Sequence, residues 1–330
     1  MAKDFTEGHP FKVIFLFSLP MLIGNIFQQL YSTVDSIIVG NFVGKNALAA
    51  ISGSGSVQFL IVAISFGFTA GISVVLSQVY GAKEYDKLKR AFSTSLIFVL
   101  SLALFLGIIG IAISTPLLKL LGTPDDIMPD AVGYLRIMFI GMPASFLYNM
   151  CSSALRSVGD SKTPLYFLII ASIGNIVLDL LFVAVIPMGV IGAALATIIA
   201  QCLSGVLCMI YMNKKTPIFA LTRKDLIYDK QIVSAIVNYG LPTAVQNSIN
   251  SVSMLAVQKF VNYFGADMMA AYGITNRIES FVTMPIMNMA LALSTYSGQN
   301  IGAGKVKRAK QGITATAAMQ AIFCFVMAFI

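Results

Sequence analysis

Unbroken apolar runs, each long enough to cross a bilayer, constrain this chain more tightly than any motif in it. A helix needs about 20 largely apolar residues to span the hydrocarbon. Nine segments meet that need: 13–39, 56–79, 91–113, 131–155, 164–186, 189–212, 233–264, 272–297 and 309–330. Unpaired backbone groups are costly in lipid, which leaves helices rather than open sheets. The expected fold is an all-α membrane protein, a polytopic helical bundle. The first run follows Lys3 and Lys12 as a signal sequence would, but 13–39 exceeds the roughly 7–15 residues of a signal core and lacks a small-residue cleavage pattern. It reads as a retained helix.

Composition agrees. Charged residues make up 11% of the chain and hydrophobic ones 57%, where a soluble domain carries roughly 25% charged residues. So few charges cannot cover a globular surface in water. The net charge of +8 comes from short clusters between the apolar runs, not from a stripe with stacking aromatics, which argues against nucleic acid as a partner. Cys151, Cys202, Cys208 and Cys324 lie inside apolar stretches without metal-ligand spacing, and His9, the sole histidine, sits in the N-terminal tail. No phosphate-loop, H-E-x-x-H or G-x-S-x-G pattern occurs; Gly40, Gly44 and Lys45 have the wrong spacing for the first. An enzyme is not expected, nor an ATP-driven pump.

Charge placement orients the bundle. One set of alternate loops carries Lys3 and Lys12; Lys83, Lys87, Lys89 and Arg90; Arg156 and Lys162; Lys214, Lys215, Arg223, Lys224 and Lys230; and Lys305, Lys307, Arg308 and Lys310. The other set carries only Lys45 and Lys119, beside Asp125, Asp126 and Asp130. The positive-inside bias puts the first set, and the N-terminus, in the cytoplasm of a multi-pass cell-membrane protein.

The sequence also repeats. Leu19-Pro20 and Asn25 recur as Leu241-Pro242 and Asn247. After a one-residue slip, Asn41, Gly44, Ala49 and Ala50 match Asn262, Gly265, Ala270 and Ala271, and Gln78, Gly81, Ala82 and Lys89 match Gln299, Gly302, Ala303 and Lys310. Six spans separate the repeat starts, so the halves have parallel topology about an axis along the membrane normal. The chain divides into an N-lobe of six spans (1–212), a basic linker (213–232) and a partial C-lobe of three (233–330). By this arithmetic the chain is a fragment, with three further helices expected beyond it.

Of the fourteen acidic residues, only Asp35, Asp179 and Glu279 fall inside apolar spans. An acid there costs about 2.5–3.5 kcal/mol on insertion scales and needs a partner, a proton or an ion. Gly24, Gln28, Tyr31 and Asp35 share one helix face at i, i+4, i+7, i+11. Asn175 and Asp179, four apart, offer hard oxygen ligands to a small cation, and Thr197 and Gln201 on the next span could complete the shell. Interhelical hydrogen bonding is the competing reading for all of these. It weighs most for Asn149, Ser152 and Ser153, where small hydroxyls often serve packing. Glu279 lies beside Asn276 and Arg277, where a local salt bridge would satisfy it. Pro20, Pro242 and Pro285 are expected to break or kink their helices.

Several stretches together resemble the multidrug and toxic compound extrusion (MATE) family: Ser18-Leu-Pro-Met; Gln28 and then Tyr31-Ser-Thr-Val-Asp35; Val39-Gly-Asn-Phe-Val-Gly44 with Leu48-Ala-Ala50; and the paired Gln78-Val-Tyr-Gly-Ala-Lys and Gln299-Asn-Ile-Gly-Ala-Gly. The resemblance implies twelve helices in two six-helix lobes. It further implies a monomer exporting cationic or amphiphilic small molecules in exchange for Na+ or H+, with no other cofactor. It assigns a cation site to Asp35, Gln28, Asn175, Asp179 and Thr197, and a cavity asparagine to Asn149. Tyr31, Ser152, Gln201, Asn276 and Glu279 complete the expected cavity. Where some members of the family carry an acid in the C-lobe, Asn276 stands here, with Glu279 one turn along. A lipid-linked precursor flippase of the same superfamily is the alternative; it would want a strongly cationic cavity, whereas the embedded charges are mainly acidic.

Overall fold

In the computed structural model the apolar runs are helical over most of their length, and no strand occurs among the described residues, 3–264 and 266–329. Side chains at 56, 59, 60, 223, 255, 258, 259, 262, 266, 267, 269, 270, 274 and 277 are outside that description, so Arg223, Lys259 and Arg277 are not placed. The helices are α1 (Pro10–Phe42), α2 (Lys45–Gly81), α3 (Tyr85–Leu120), α4 (Met128–Ile140), α5 (Met142–Ser157), α6 (Lys162–Asp179), α7 (Gly189–Lys215), α8 (Lys230–Tyr263), α9 (Ala266–Gly302) and α10 (Val306–Met327). Five helical stretches, in α1, α2, α3, α6 and α7, are long and apolar enough to cross a membrane, and α4 with α5, bent by 46°, makes a sixth. The runs at 233–264, 272–297 and 309–330 are also helical but less apolar, because Asn238, Thr243, Gln246, Asn247 and Asn250 interrupt α8 and similar polar residues interrupt α9 and α10.

Local chemistry explains where the helices stop and bend. Pro10 opens α1, where its missing N–H would have had no intrahelical partner. Gly44 at φ 108° reverses the chain into α2, a backbone conformation that glycine adopts without a Cβ clash. The run 131–155 is not one straight helix. It breaks at Gly141, followed by Pro143, and a Cβ on Gly141 would collide with Ile198 of α7. By contrast α1, α8 and α9 continue as helix through Pro20, Pro242 and Pro285, as membrane helices can when neighbours re-satisfy the freed carbonyl. The second irregularity is a π-helical turn, Leu180–Val185, that directly follows Asp179.

Helices α2, α3, α4, α5 and α7 enclose the main core, with Leu76, Phe92, Leu135, Phe146, Met150 and Leu155 at its centre. The N-terminal tail and the connections 82–84, 158–161, 216–229 and 303–305 share one end of the bundle, the basic end. There the linker is tied to α3: Lys89 Nζ lies 2.7 Å from Asp225. That ammonium, with the Thr222 hydroxyl and amide, holds the Asp225 carboxyl well below the usual carboxylate range.

The two lobes also meet at the basic end. Gly67 abuts Ala244, and Gly71 abuts Ile236 and Gly240. Gly81 sits on the backbone of Gln299 while Gly302 sits on the backbone of Gln78. This last pair is reciprocal, so the repeated motif packs against its own copy. At the opposite end Val252, Met254, Val257, Phe260 and Tyr263 of α8 are exposed. Because a Cβ at Gly302 would overlap the Gln78 carbonyl, Gly302→Val is expected to destabilise the protein by about 1–3 kcal/mol. Thermal unfolding of the purified variant checks this; an unchanged melting temperature would mean the lobes do not pack this way.

Candidate functional site

The stripe on α1 and the pair on α6 face one another, since α1 and α6 pack closely: a Cβ on Gly24 would stand 3.3 Å from Leu168. One helical turn past Tyr31 and Asn175, the carboxyls of Asp35 and Asp179 come within hydrogen-bonding reach of each other. Asp179 is 0% exposed and Asn175 2%, while Asp35 is half-buried. Five polar atoms there have no hydrogen-bond partner: Asp35 Oδ1, both Asp179 oxygens, and Oδ1 and Nδ2 of Asn175. Buried polar groups in proteins are otherwise nearly always paired. Two carboxylates facing each other are both acceptors and repel, and a shared proton or a bound cation relieves both problems at once. Four of the five orphaned atoms are hard oxygens, the donor type that Na+ takes. The residues present therefore fit a small cation or a proton. Among the described residues no group of three or more His, Cys, Asp or Glu assembles, so a site for a transition metal is not formed.

Next to this pair lies a cavity of about 230 Å³. Its wall includes Gln28, Tyr31, Asn149, Ser152, Asn175, Thr197 and Gln201. Asp35 and Asp179 are not in the wall; they stand just beyond its far end, behind Tyr31 and Asn175. Several wall residues also have protein partners. Asn149 Nδ2 donates to Ser65 Oγ at 3.4 Å, the Ser145 hydroxyl to Gln201 Oε1, and Asn25 Nδ2 to Asn288 Oδ1 of α9 at 3.1 Å, joining the lobes. Ser153, by contrast, faces α2, donating to the Thr69 carbonyl at 2.8 Å. Asn276 and Glu279 are absent from the wall. The Glu279 side chain is exposed, and among the described residues α9 contributes Asn288 and Leu291 to the wall, more than two turns further along the helix.

Two residues of this region escape a reading of the sequence. Tyr134 of α4 is 5% exposed, and its phenol lies near Asp35, Asp179 and Tyr31. In the sequence it is one aromatic among many in an apolar run. Arg156, counted above among the loop cations, instead lines the cavity, its Nη1 donating to Ser152 Oγ at 2.6 Å.

A helical bundle with a polar cavity beside buried, unpaired carboxyls is an architecture that suits a membrane transporter. The MatE family model matches residues 20–181 and 242–330, and the chain belongs to that family. Among its relatives is a probable multidrug resistance protein of Bacillus subtilis, YoeA, 35% identical over 305 residues, 90% of this chain. The chain spans only about two thirds, 66%, of that relative's length. An FAD transporter of Shewanella oneidensis is 29% identical, covering 92% of this chain and 68% of its own. An outward-facing structure of a multidrug resistance MATE family transporter superposes with a TM-score of 0.90 at 26% identity, over 99% of this chain and 73% of that one.

Proposed function

We propose that the protein is a secondary antiporter that exports small amphiphilic molecules across the cell membrane in exchange for Na+ or H+. The observation that carries this reading is the Asp35–Asp179 pair, buried with four unpartnered oxygens including that of Asn175. An arrangement so costly in lipid is retained where an ion or proton enters and leaves. The basic end faces the cytoplasm. With Asp35 near the Phe42 end of α1 and Asp179 at the last residue of α6, both far from the basic end, the acid pair stands nearer the outer side. A cation or proton arriving from outside neutralises the pair and lets α1 and α6 draw together. Tyr31 and Asn175, one turn away on the same two helices, then move the cavity wall. Coupling thus runs through shared helices, and the protein works as a monomer.

The expectation of organic cations as cargo comes from the family resemblance, and the embedded acids that would suit such cargo stand outside the cavity wall. The names of the relatives span both multidrug resistance and FAD transport, so cargo charge is better argued from the wall itself. A strongly cationic cavity, as a lipid-linked precursor flippase would want, is not supported by a single arginine. The test is counterflow in proteoliposomes holding the product of the complete gene. An inward proton or Na+ gradient should drive dye efflux, and collapse of that gradient should stop it. Efflux that persists without either gradient would refute the coupling.

A further inference from the structure

The cavity is polarised, and its charges run opposite to the expectation drawn from the sequence. Among the described residues no Asp or Glu is found in its wall, and Arg156 is the one charged side chain there. An arginine on the last turn of a membrane helix commonly snorkels toward the nearer surface. Arg156 does the reverse. Its Nη1 reaches back one turn to Ser152, away from the connection at 158–161. That bond occupies one of five guanidinium donors; among the described residues none of the others meets an acid. Asp160, four residues on, is engaged at the start of α6 by the Thr163 amide and hydroxyl and the Lys162 amide. The Asp35–Asp179 pair lies past the opposite end of the cavity. The nearby Tyr148 phenol is committed to the Pro164 carbonyl at 3.2 Å.

A half-buried guanidinium with free donors aimed into a cavity is a receptor for a planar oxyanion. Resting on the transporter reading above, we infer that Arg156 recognises an anionic group, a carboxylate, sulfonate or phosphate, on the exported molecule. The rest of that molecule lies against Met21, Ile61, Phe66, Phe146 and Leu168 of the wall. The cargo is an amphiphilic anion or zwitterion. Ser152 holds the guanidinium in place, and the hydroxyl of Ser161, also in the wall, stands at the same end of the cavity.

Equilibrium binding tests this without any ion gradient, so a failure of the coupling scheme leaves the result untouched. The probes are carboxyfluorescein, an anion, and a rhodamine ester, a cation on the same xanthene frame. They are titrated by fluorescence anisotropy into the full-length protein in phosphatidylcholine nanodiscs. The wild type should prefer the anion by at least about tenfold. Arg156→Gln should lose that preference, Arg156→Lys should keep part of it, and Arg156→Glu should invert it. Unfolding temperature and monodispersity identify any variant that has failed to fold, in which case the lysine variant and the wild-type preference decide. Equal or tighter binding of the cation by the wild type would overturn the inference, as would an unchanged preference in a folded Arg156→Gln. Phosphatidylglycerol added to the discs separates the two sources of an anion. If it displaces carboxyfluorescein from the wild type, the arginine holds a lipid headgroup and the assignment to cargo falls.

Discussion

Asp179→Asn is expected to stop transport while leaving the protein at least as stable as before. The substitution keeps the shape of the side chain and removes its charge. In the native protein Asp179 is 0% exposed, both of its oxygens lack partners, and the Asp35 carboxyl faces it. An asparagine amide would donate to that carboxyl, converting two opposed acceptors into a bonded pair. A buried hydrogen bond of this kind is worth about 1 kcal/mol, and relief of an unsatisfied group adds to it, so the melting temperature should hold or rise. Efflux, in contrast, should fall by at least about tenfold, because the variant site can no longer cycle between charged and neutral forms. Asp35→Asn should do the same. The pairing of outcomes matters, since a carboxyl serving only as interhelical glue would lose stability when replaced and keep its transport. Normal drug efflux by both variants in the complete protein would sink the coupling role outright.

How much of this could be read from the chain alone depended on whether a signal was local. The apolar runs located the long helices, because the bilayer sets their length, although six spans rather than nine are apolar enough among the described residues to cross a membrane. The i, i+4 stripes placed Gln28, Tyr31 and Asp35 on one face of α1, and Asn175 with Asp179 on one face of α6. That these faces would meet depends on the closeness that Gly24 allows to Leu165 and Leu168, a pairing of helices that periodicity does not encode. Proline was an uneven guide to breaks. Pro20, Pro242 and Pro285 leave their helices continuous, whereas the break at Gly141 stands just before Pro143, where a Cβ would also meet Ile198 of α7. Arg156 is the instructive miss. Its sequence neighbours Val158, Gly159 and Asp160 mark a loop, and only the direction of its side chain, toward Ser152, turns a surface cation into a cavity one. Asn276 and Glu279 show the converse: polarity within a span says nothing of whether a residue reaches the cavity.

Phe5→Ala is expected to loosen the contact between the N-terminal tail and the C-lobe by about 3–5 kcal/mol, the usual cost of emptying a buried phenylalanine site. Phe5 is 2% exposed, packs edge-on against Phe17 with centroids 4.8 Å apart, and shares a core with Ile14, Met289, Ala292, Tyr296 and Met319. The tail around it is strapped on both sides. On the N-lobe, the Lys3 amide donates to the Val158 carbonyl at 2.8 Å. On the C-lobe, the Phe5 amide donates to Gln299 Oε1 at 2.8 Å, Asn300 Nδ2 to the Phe5 carbonyl at 3.1 Å, and Lys305 Nζ to the Thr6 carbonyl at 3.0 Å. Arg308 reaches the Glu7 carbonyl at 2.6 Å. Gln299 closes the circuit, its Nε2 donating to the Ser157 carbonyl at 2.8 Å. One side chain therefore anchors a strap that crosses the seam where the two copies of the repeated motif meet. Hydrogen exchange should report the loss as faster exchange across 296–308, the segment the strap covers, with the opposite end of α9 unchanged. Phe11→Ala is the control. Phe11 is 42% exposed, and a surface substitution of that kind stays within about 0.5 kcal/mol. If both variants exchange alike over 296–308, the tail is not holding the lobes together, and the seam must rest on the glycine contacts of Gly67, Gly71, Gly81 and Gly302 and the bonds made by Asn25 and Gln299.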